Sequence, residues 1–298
     1  MSAADHWSEW LRGRRDGGNE RQRSTSLKRL ESIRDRVLDF AEPLTGAAVL
    51  DIGSGDGLIG LAALDRVGPQ GSVTFCDISA PLLEHAREAV RALDKLDQAR
   101  FVLARAEDLA GIPDASVDVA STRSVLIYVA DKQHAFDELY RVLVPDGRIS
   151  LFEPINRLMF PEPEDRFWGY HVAAVADLAG KVKDAFAHLE HADAATMMDF
   201  DERDLFAMAR RAGFASIHLE LHTNLITGRP GIEAPSLETL LESSPHPLAP
   251  TLRETVEQAL DTVEQARFLS CLGTALKRND SQLLWVAAFL VAHKTTSQ

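Results

Sequence analysis

Cysteine is nearly missing from this chain: Cys76 and Cys271 are the only two in 298 residues. That leaves no disulfide framework and no thiolate cluster, and metal binding is not expected. Long apolar runs are missing as well. No 18-residue apolar stretch occurs, so nothing is expected to span a membrane. The first 40 residues carry Arg and Asp throughout and lack the apolar core of a secretory signal, so a cytoplasmic location is expected. Basic residues are outnumbered, 32 Lys and Arg against 45 Asp and Glu, for a net charge of −13. Nucleic-acid surfaces normally show a clustered basic patch, and no such partner is expected. The hydrophobic fraction of 45% still supports a full core.

What is present centres on Val49-Leu50-Asp51-Ile52-Gly53-Ser54-Gly55-Asp56-Gly57. An apolar run, an acid and three alternating glycines read as a buried strand entering a tight loop, with a helix over 58–67 behind it. Glycine there lets a ligand approach bare backbone. Strand, glycine loop and helix together form a nucleotide cradle at the carboxyl edge of a parallel sheet. A dinucleotide fingerprint would need glycine at position 58, where Leu58 stands, so an oxidoreductase ranks last.

The pattern then alternates. Strands are expected at 48–52, 72–77, 99–104, 117–121 and 147–153, with helices at 58–67, 80–95 and 131–143. Such alternation implies a parallel sheet with helices on both faces. Further on, Val175, Leu178, Val182, Phe186 and Leu189 line one helix, and a second runs from Asp201 to a stop at Gly213. Strands follow around 217–221 and 283–291. Thr251 and Glu254 make a capping box for a helix whose apolar face is Leu252, Val256, Leu260 and Val263. Residues 1–40 read as a helical cap, with a short helix near His6 and a longer one carrying Leu27, Leu30, Ile33, Val37 and Leu38. The expected organisation is a cap at 1–40, a core at 41–154, a helical lid insertion at 155–200, and the rest of the core at 201–298 with a helical insertion near 225–279.

The glycine loop resembles motif I of the class I S-adenosylmethionine-dependent methyltransferases. The resemblance continues through Val73-Thr74-Phe75-Cys76-Asp77-Ile78, similar to the second strand with its ribose-holding acid. Ala106-Glu107-Asp108-Leu109 is similar to the adenine-bordering loop. Ser116 to Ala120 with Arg123-Ser124-Val125-Leu126 resembles the fourth strand and its exit, and Leu139 to Arg148 the helix and turn before the fifth. The similarity runs from about 41 to 154. It implies an α/β fold, a Rossmann-like seven-stranded mostly parallel sheet with helices on both faces and helical lid insertions. It also implies S-adenosyl-L-methionine as co-substrate. Carried over, the cofactor-binding positions are Asp51, Gly53, Ser54, Gly55, Gly57, Asp77, Ile78, Ala106, Glu107, Arg123 and Ser124. Arg105 stands where many relatives have an acid, which shifts the adenine contacts to the backbone of Ala106 and to Glu107.

On the acceptor side, Tyr128, Trp168 and Tyr170 are candidate substrate contacts. Much of the rate of methyl transfer from a sulfonium comes from alignment. A hydroxyl acceptor also profits from a base, and His171, behind the aromatic run 167–170, is the candidate, ahead of His188 and His191. The expected activity is methylation of a small molecule at O, N or C by a type 11-like enzyme, of the kind met in secondary metabolism. The alternatives are a protein or tRNA methyltransferase and a non-catalytic cofactor-binding subunit. The cysteine trio of an arsenite methyltransferase is missing. So is an Asn-Pro-Pro-Tyr signature, since Ser121-Thr122-Arg123-Ser124 occupies its place. No oligomeric state is assigned.

Overall fold

A computed structural model of the chain describes residues 5–189, 192–228 and 235–295. In chain order its main elements are α1 (His6–Arg12), α2 (Glu20–Phe40), β1 (Ala48–Ile52), α3 (Leu58–Val67), β2 (Ser72–Asp77), α4 (Ala80–Ala92), β3 (Ala99–Leu103), β4 (Val117–Arg123), α5 (Lys132–Val142) and β5 (Leu143–Pro154). They continue with β6 (Arg166–Phe167), β7 (Tyr170–His171), α6 (Ala176–Leu189), α7 (Glu202–Ala212), β8 (Ser216–Thr227), α8 (Leu237–Leu241), α9 (Leu252–Ala259), α10 (Thr262–Arg278) and β9 (Gln282–His293). Within the described residues the chain divides into two compact units. One draws on 29–157, 196–222 and 287–295, the other on 5–28, 158–195 and 223–286.

The sheet unit is built on a seven-stranded sheet of order β3-β2-β1-β4-β5-β9-β8. β1 lies parallel to β2, with Ala48 opposite Ser72 and Ile52 opposite Cys76, and parallel to β4 on its other side. β9 runs antiparallel to β5, with Ile149 opposite Ala292. Val49 to Ile52 are buried one after another, as are Ala287 to Ala292. Consecutive rather than alternating burial marks strands covered on both faces, the usual state of a parallel sheet. α3 packs so close to β2 that a Cβ on Gly60 would fall 2.2 Å from the Phe75 ring. α4 starts where Ser79 accepts from the Leu82 amide, and it buries Leu82, Leu83, Ala86 and Val90 along one face.

The helical unit has its own apolar core, in which Phe167, Tyr170, Phe186, Leu252, Phe268 and Leu272 meet. A tight hairpin joins β6 to β7. Trp168 and Gly169 both take positive φ there, +50° and +81°. The two carboxylate oxygens of Glu162 each accept from one of their amides at 3.0 Å.

Two expectations need correction. The single helix expected from Thr251 through Val263 is two helices. Leu260 is extended between them, and Asp261 opens α10 with its own capping box to Glu264. The new cap turns Val263 outward, to 71% exposure, while Leu260 stays buried. β8 also runs on to Thr227 rather than ending at residue 221. Among the described residues no helix is long and apolar enough to cross a membrane.

The break at Leu260 has a measurable consequence. Val263→Lys should change stability by less than about 0.5 kcal/mol, as at any open surface position. Leu252→Ala, which empties a fully buried site, should cost about 2–5 kcal/mol. Denaturant titration of both variants checks this. A large loss for the Val263 variant would restore the single continuous apolar face.

Candidate active site

The parallel strands of the sheet unit end at one edge, and the loops leaving them carry most of the expected cofactor positions. Asp51 is 2% exposed near the end of β1, and its Oδ2 accepts from the Gly60 amide at 2.8 Å. The N-cap of α3 is Gly57, which has no side chain to cap with, so the strand beneath supplies the acceptor. Burial pushes the Asp51 carboxyl up to about 7. The Gly60 amide and the Arg123 charge pull it down, and Asp77 and Asp56 add to the rise.

The loop between β1 and α3 is held from β2. The Ser54 amide donates to the Cys76 carbonyl at 3.0 Å. The Gly55 amide donates to Asp77 Oδ2 at 2.8 Å, and the Ser79 amide to Asp77 Oδ1 at 2.9 Å. One carboxylate therefore ties the first loop to the start of α4. Gly53 sits at φ +63°, and a Cβ on it would lie 2.3 Å from Val125 Cγ2, so only glycine fits. The Ser54 hydroxyl oxygen is buried with no hydrogen-bond partner among the described residues. A buried polar atom left alone costs about 1–3 kcal/mol. Ile78 next to Asp77 is 43% exposed.

The third loop brings Ala106, 7% exposed, and Glu107, whose carboxylate accepts from Arg105 Nε at 2.8 Å. At the end of β4, Arg123 bears electrostatically on Asp51 and on Tyr128. Ser124 takes φ +56°, and its amide donates to the Phe152 carbonyl at 2.8 Å. Burial, seconded by the Glu153 charge, pushes the Tyr128 phenol upward.

Glu153 was not among the residues expected from the sequence. It is 1% exposed near the end of β5, and its carboxylate accepts from the amides of Val125 and Leu126 at 3.0 Å and of Ile127 at 3.3 Å. Burial pushes it up to about 7 against these donors. The signal available was an acid following Ile149, Leu151 and Phe152 in the fifth strand.

The remaining candidates belong to the helical unit. Tyr170, expected to face an acceptor, is fully buried in that unit's core. Trp168 stacks on Phe167 at 5.4 Å and leans on Phe186 at 5.7 Å. His171 is half exposed, with Nδ1 3.3 Å from Asp280 and Nε2 3.7 Å from Asp165. It borders a cavity of about 700 Å³ in that unit, lined also by Arg267, Ser270, Cys271, Thr274 and Arg278. His188 Nδ1 donates to the Asp184 carbonyl at 2.6 Å, and His191 lies outside the described residues. Among the described residues no group of three or more His, Cys, Asp or Glu is arranged to hold a metal.

Comparison with known proteins gives this edge a context. The sequence profile of the ubiE/COQ5 methyltransferase family matches residues 22–229. Nocamycin O-methyltransferase from Saccharothrix syringae is 31% identical over 215 residues, 71% of this chain and 74% of that protein. Arsenite methyltransferase from Halobacterium salinarum is 35% identical over 123 residues. That match covers 41% of this chain and spans about a third, 31%, of the relative. Among solved structures, phosphoethanolamine N-methyltransferase 2 from Haemonchus contortus, in complex with S-adenosyl-L-methionine, superposes with a TM-score of 0.52. It is 18% identical, covering 97% of this chain and 56% of that one, a likeness of fold.

The two raised carboxyls set a pH dependence. Asp51 and Glu153 bind protons more tightly folded than unfolded, where 3.8 and 4.5 are the ordinary values. Between about pH 4.5 and 7 these two groups hold more protons in the folded chain, so their contribution to stability falls as pH rises through that window, while His293, lowered by burial, works in the opposite sense. Glu220, held near 2 by His222 and Arg36, acts below it. Asp51→Asn keeps an acceptor for Gly60 and removes one titration. Its loss of stability between pH 5 and 7.5 should be smaller than the wild type's by at least about 1 kcal/mol. Urea titration at both pH values decides, and equal losses would contradict the assignment.

Proposed function

We propose, from the premise that the chain belongs to the ubiE/COQ5 methyltransferase family and uses S-adenosylmethionine as methyl donor, that it methylates a small organic molecule at an oxygen. The observation that carries the cofactor assignment is the carboxyl edge of the sheet unit. There the unpartnered Ser54 hydroxyl lies in a loop whose next residue, Gly55, is tied to Asp77. These residues fit the group. Asp77, the acid that ends β2 beside this loop, would accept from the ribose hydroxyls. Ile78 offers an apolar surface for adenine, and the Ser54 hydroxyl gains the partner it lacks. Bound S-adenosylmethionine supplies a methyl group on a sulfonium, already activated for displacement. The chain's part is to hold donor and acceptor in line and to exclude water, which can provide much of the rate.

The acceptor class is supported from two sides. Similarity to the nocamycin O-methyltransferase extends over most of both chains. A net charge of −13 disfavours a tRNA acceptor. Arsenite calls for soft thiolate ligands. Here Cys76 is buried, and burial with the charges of Asp77 and Asp51 pushes its thiol up to about 12.

Calorimetry with S-adenosylhomocysteine should show micromolar or tighter binding, about −8 kcal/mol. Asp77→Ala should weaken it by about 10- to 100-fold, since charged acceptors of this kind contribute about 1.5–3 kcal/mol. Methyl-labelled cofactor, offered together with a small-molecule extract, tRNA and bulk protein, should label the first fraction. Label found in tRNA or protein instead would overturn the acceptor class. Absence of any homocysteine binding would remove the proposed cofactor site.

A further inference from the structure

Glu153 is the buried charged group at the sheet edge that cofactor binding leaves without a task. It follows Leu151 and Phe152 in β5 and is 1% exposed. A carboxylate buried there is costly unless it is well hydrogen-bonded. Its Oε1 accepts from the amides of Val125 and Leu126, both at 3.0 Å, and from the Thr122 hydroxyl at 3.3 Å. Its Oε2 accepts from the Ile127 amide at 3.3 Å. Three successive amides that converge on one anion form a nest, here filled by the protein's own side chain.

The same loop is anchored through its carbonyls. The Thr196 hydroxyl donates to the Ile127 carbonyl at 2.9 Å, and Lys132 Nζ to the Val129 carbonyl at 2.8 Å. Lys132 is itself only 5% exposed and pairs with Asp199 at 2.7 Å. What the clamped loop carries makes the arrangement matter. Val125 presses on Gly53 closely enough to forbid a Cβ there. Arg123 and Ser124 lead into the loop, and Tyr128 leaves it. The position of the loop after β4 against the glycine loop after β1 is thus set from β5.

We propose that Glu153 is a positioning residue for methyl transfer: its carboxylate gathers the three amides after β4 and fixes loop 124–128 against the Gly53 loop. The functional part rests on the cofactor reading above. The clamp itself does not.

The test uses the full chain in three forms, wild type, Glu153→Gln and Glu153→Ala. Amide exchange is read residue by residue, and S-adenosylhomocysteine binding by calorimetry. In Glu153→Ala, protection at Val125, Leu126 and Ile127 should fall by about 100-fold relative to Leu50 and Val119 in the sheet. Binding should weaken about tenfold, the effect expected when the competent loop is populated a tenth of the time. Glu153→Gln keeps one acceptor oxygen. It should retain protection at Val125 and Leu126, lose it at Ile127, and bind within about threefold of wild type. Unchanged protection in the alanine variant, loss spread evenly over the sheet, or unchanged affinity would each overturn the positioning role. Should the alanine variant fail to fold, the split between Ile127 and its two neighbours in the glutamine variant decides alone. Wild-type protein that binds no homocysteine would contradict the cofactor reading, and the exchange pattern would then judge the clamp independently.

Discussion

Amides that leave a parallel sheet lose their strand partners, and inside a protein each must find another acceptor. Three buried carboxylates meet that demand here. Asp51 takes the amide of Gly60 in the first turn of α3. Asp77 takes those of Gly55 and Ser79, joining two loops at one side chain. Glu153 takes three in a row after β4. Each carboxylate stays in a costly place because a loop needs it, and each loop has its shape because the carboxylate is there. The candidate site is the set of loops so held.

This division of labour explains how a glycine-rich loop presents a defined surface. Gly53 and Gly55 both take positive φ, which side chains disfavour and glycine allows at an entropic cost. The cost is offset by ties to Cys76 and Asp77 and by the Val125 side chain lying over Gly53. What remains open is the Ser54 hydroxyl, buried and unsatisfied among the described residues. A ligand that supplies its missing hydrogen bond and meets Asp77 and Ile78 suits this surface, and the family's methyl donor has the chemistry to do so.

Much of the sheet unit was legible from the sequence because its signals are local. The β1 and β2 spans, the α3 span and the Ser79 cap follow from apolar runs, glycines and capping residues within a few positions of one another. Glu153 escaped because its role depends on a loop about 27 residues earlier in the chain. No short window reveals that three amides point at it. Tyr170 is the opposite case: its place in an aromatic run beside a histidine is plain in the sequence, while its burial beside Phe167 is not. The boundary at Leu260 was readable in principle. Asp261 and Glu264 form a capping box as plain as that of Thr251 and Glu254, although the apolar spacing runs on through Val263.

A crystal structure of the full chain with S-adenosylhomocysteine decides whether this edge holds the cofactor. Both ribose hydroxyls should lie within hydrogen-bonding distance of Asp77, the adenine against Ile78, and a ligand atom should pair with the Ser54 hydroxyl. Density for the ligand elsewhere, for instance in the cavity beside His171 and Arg267, with the Asp77 edge unchanged, would contradict that placement.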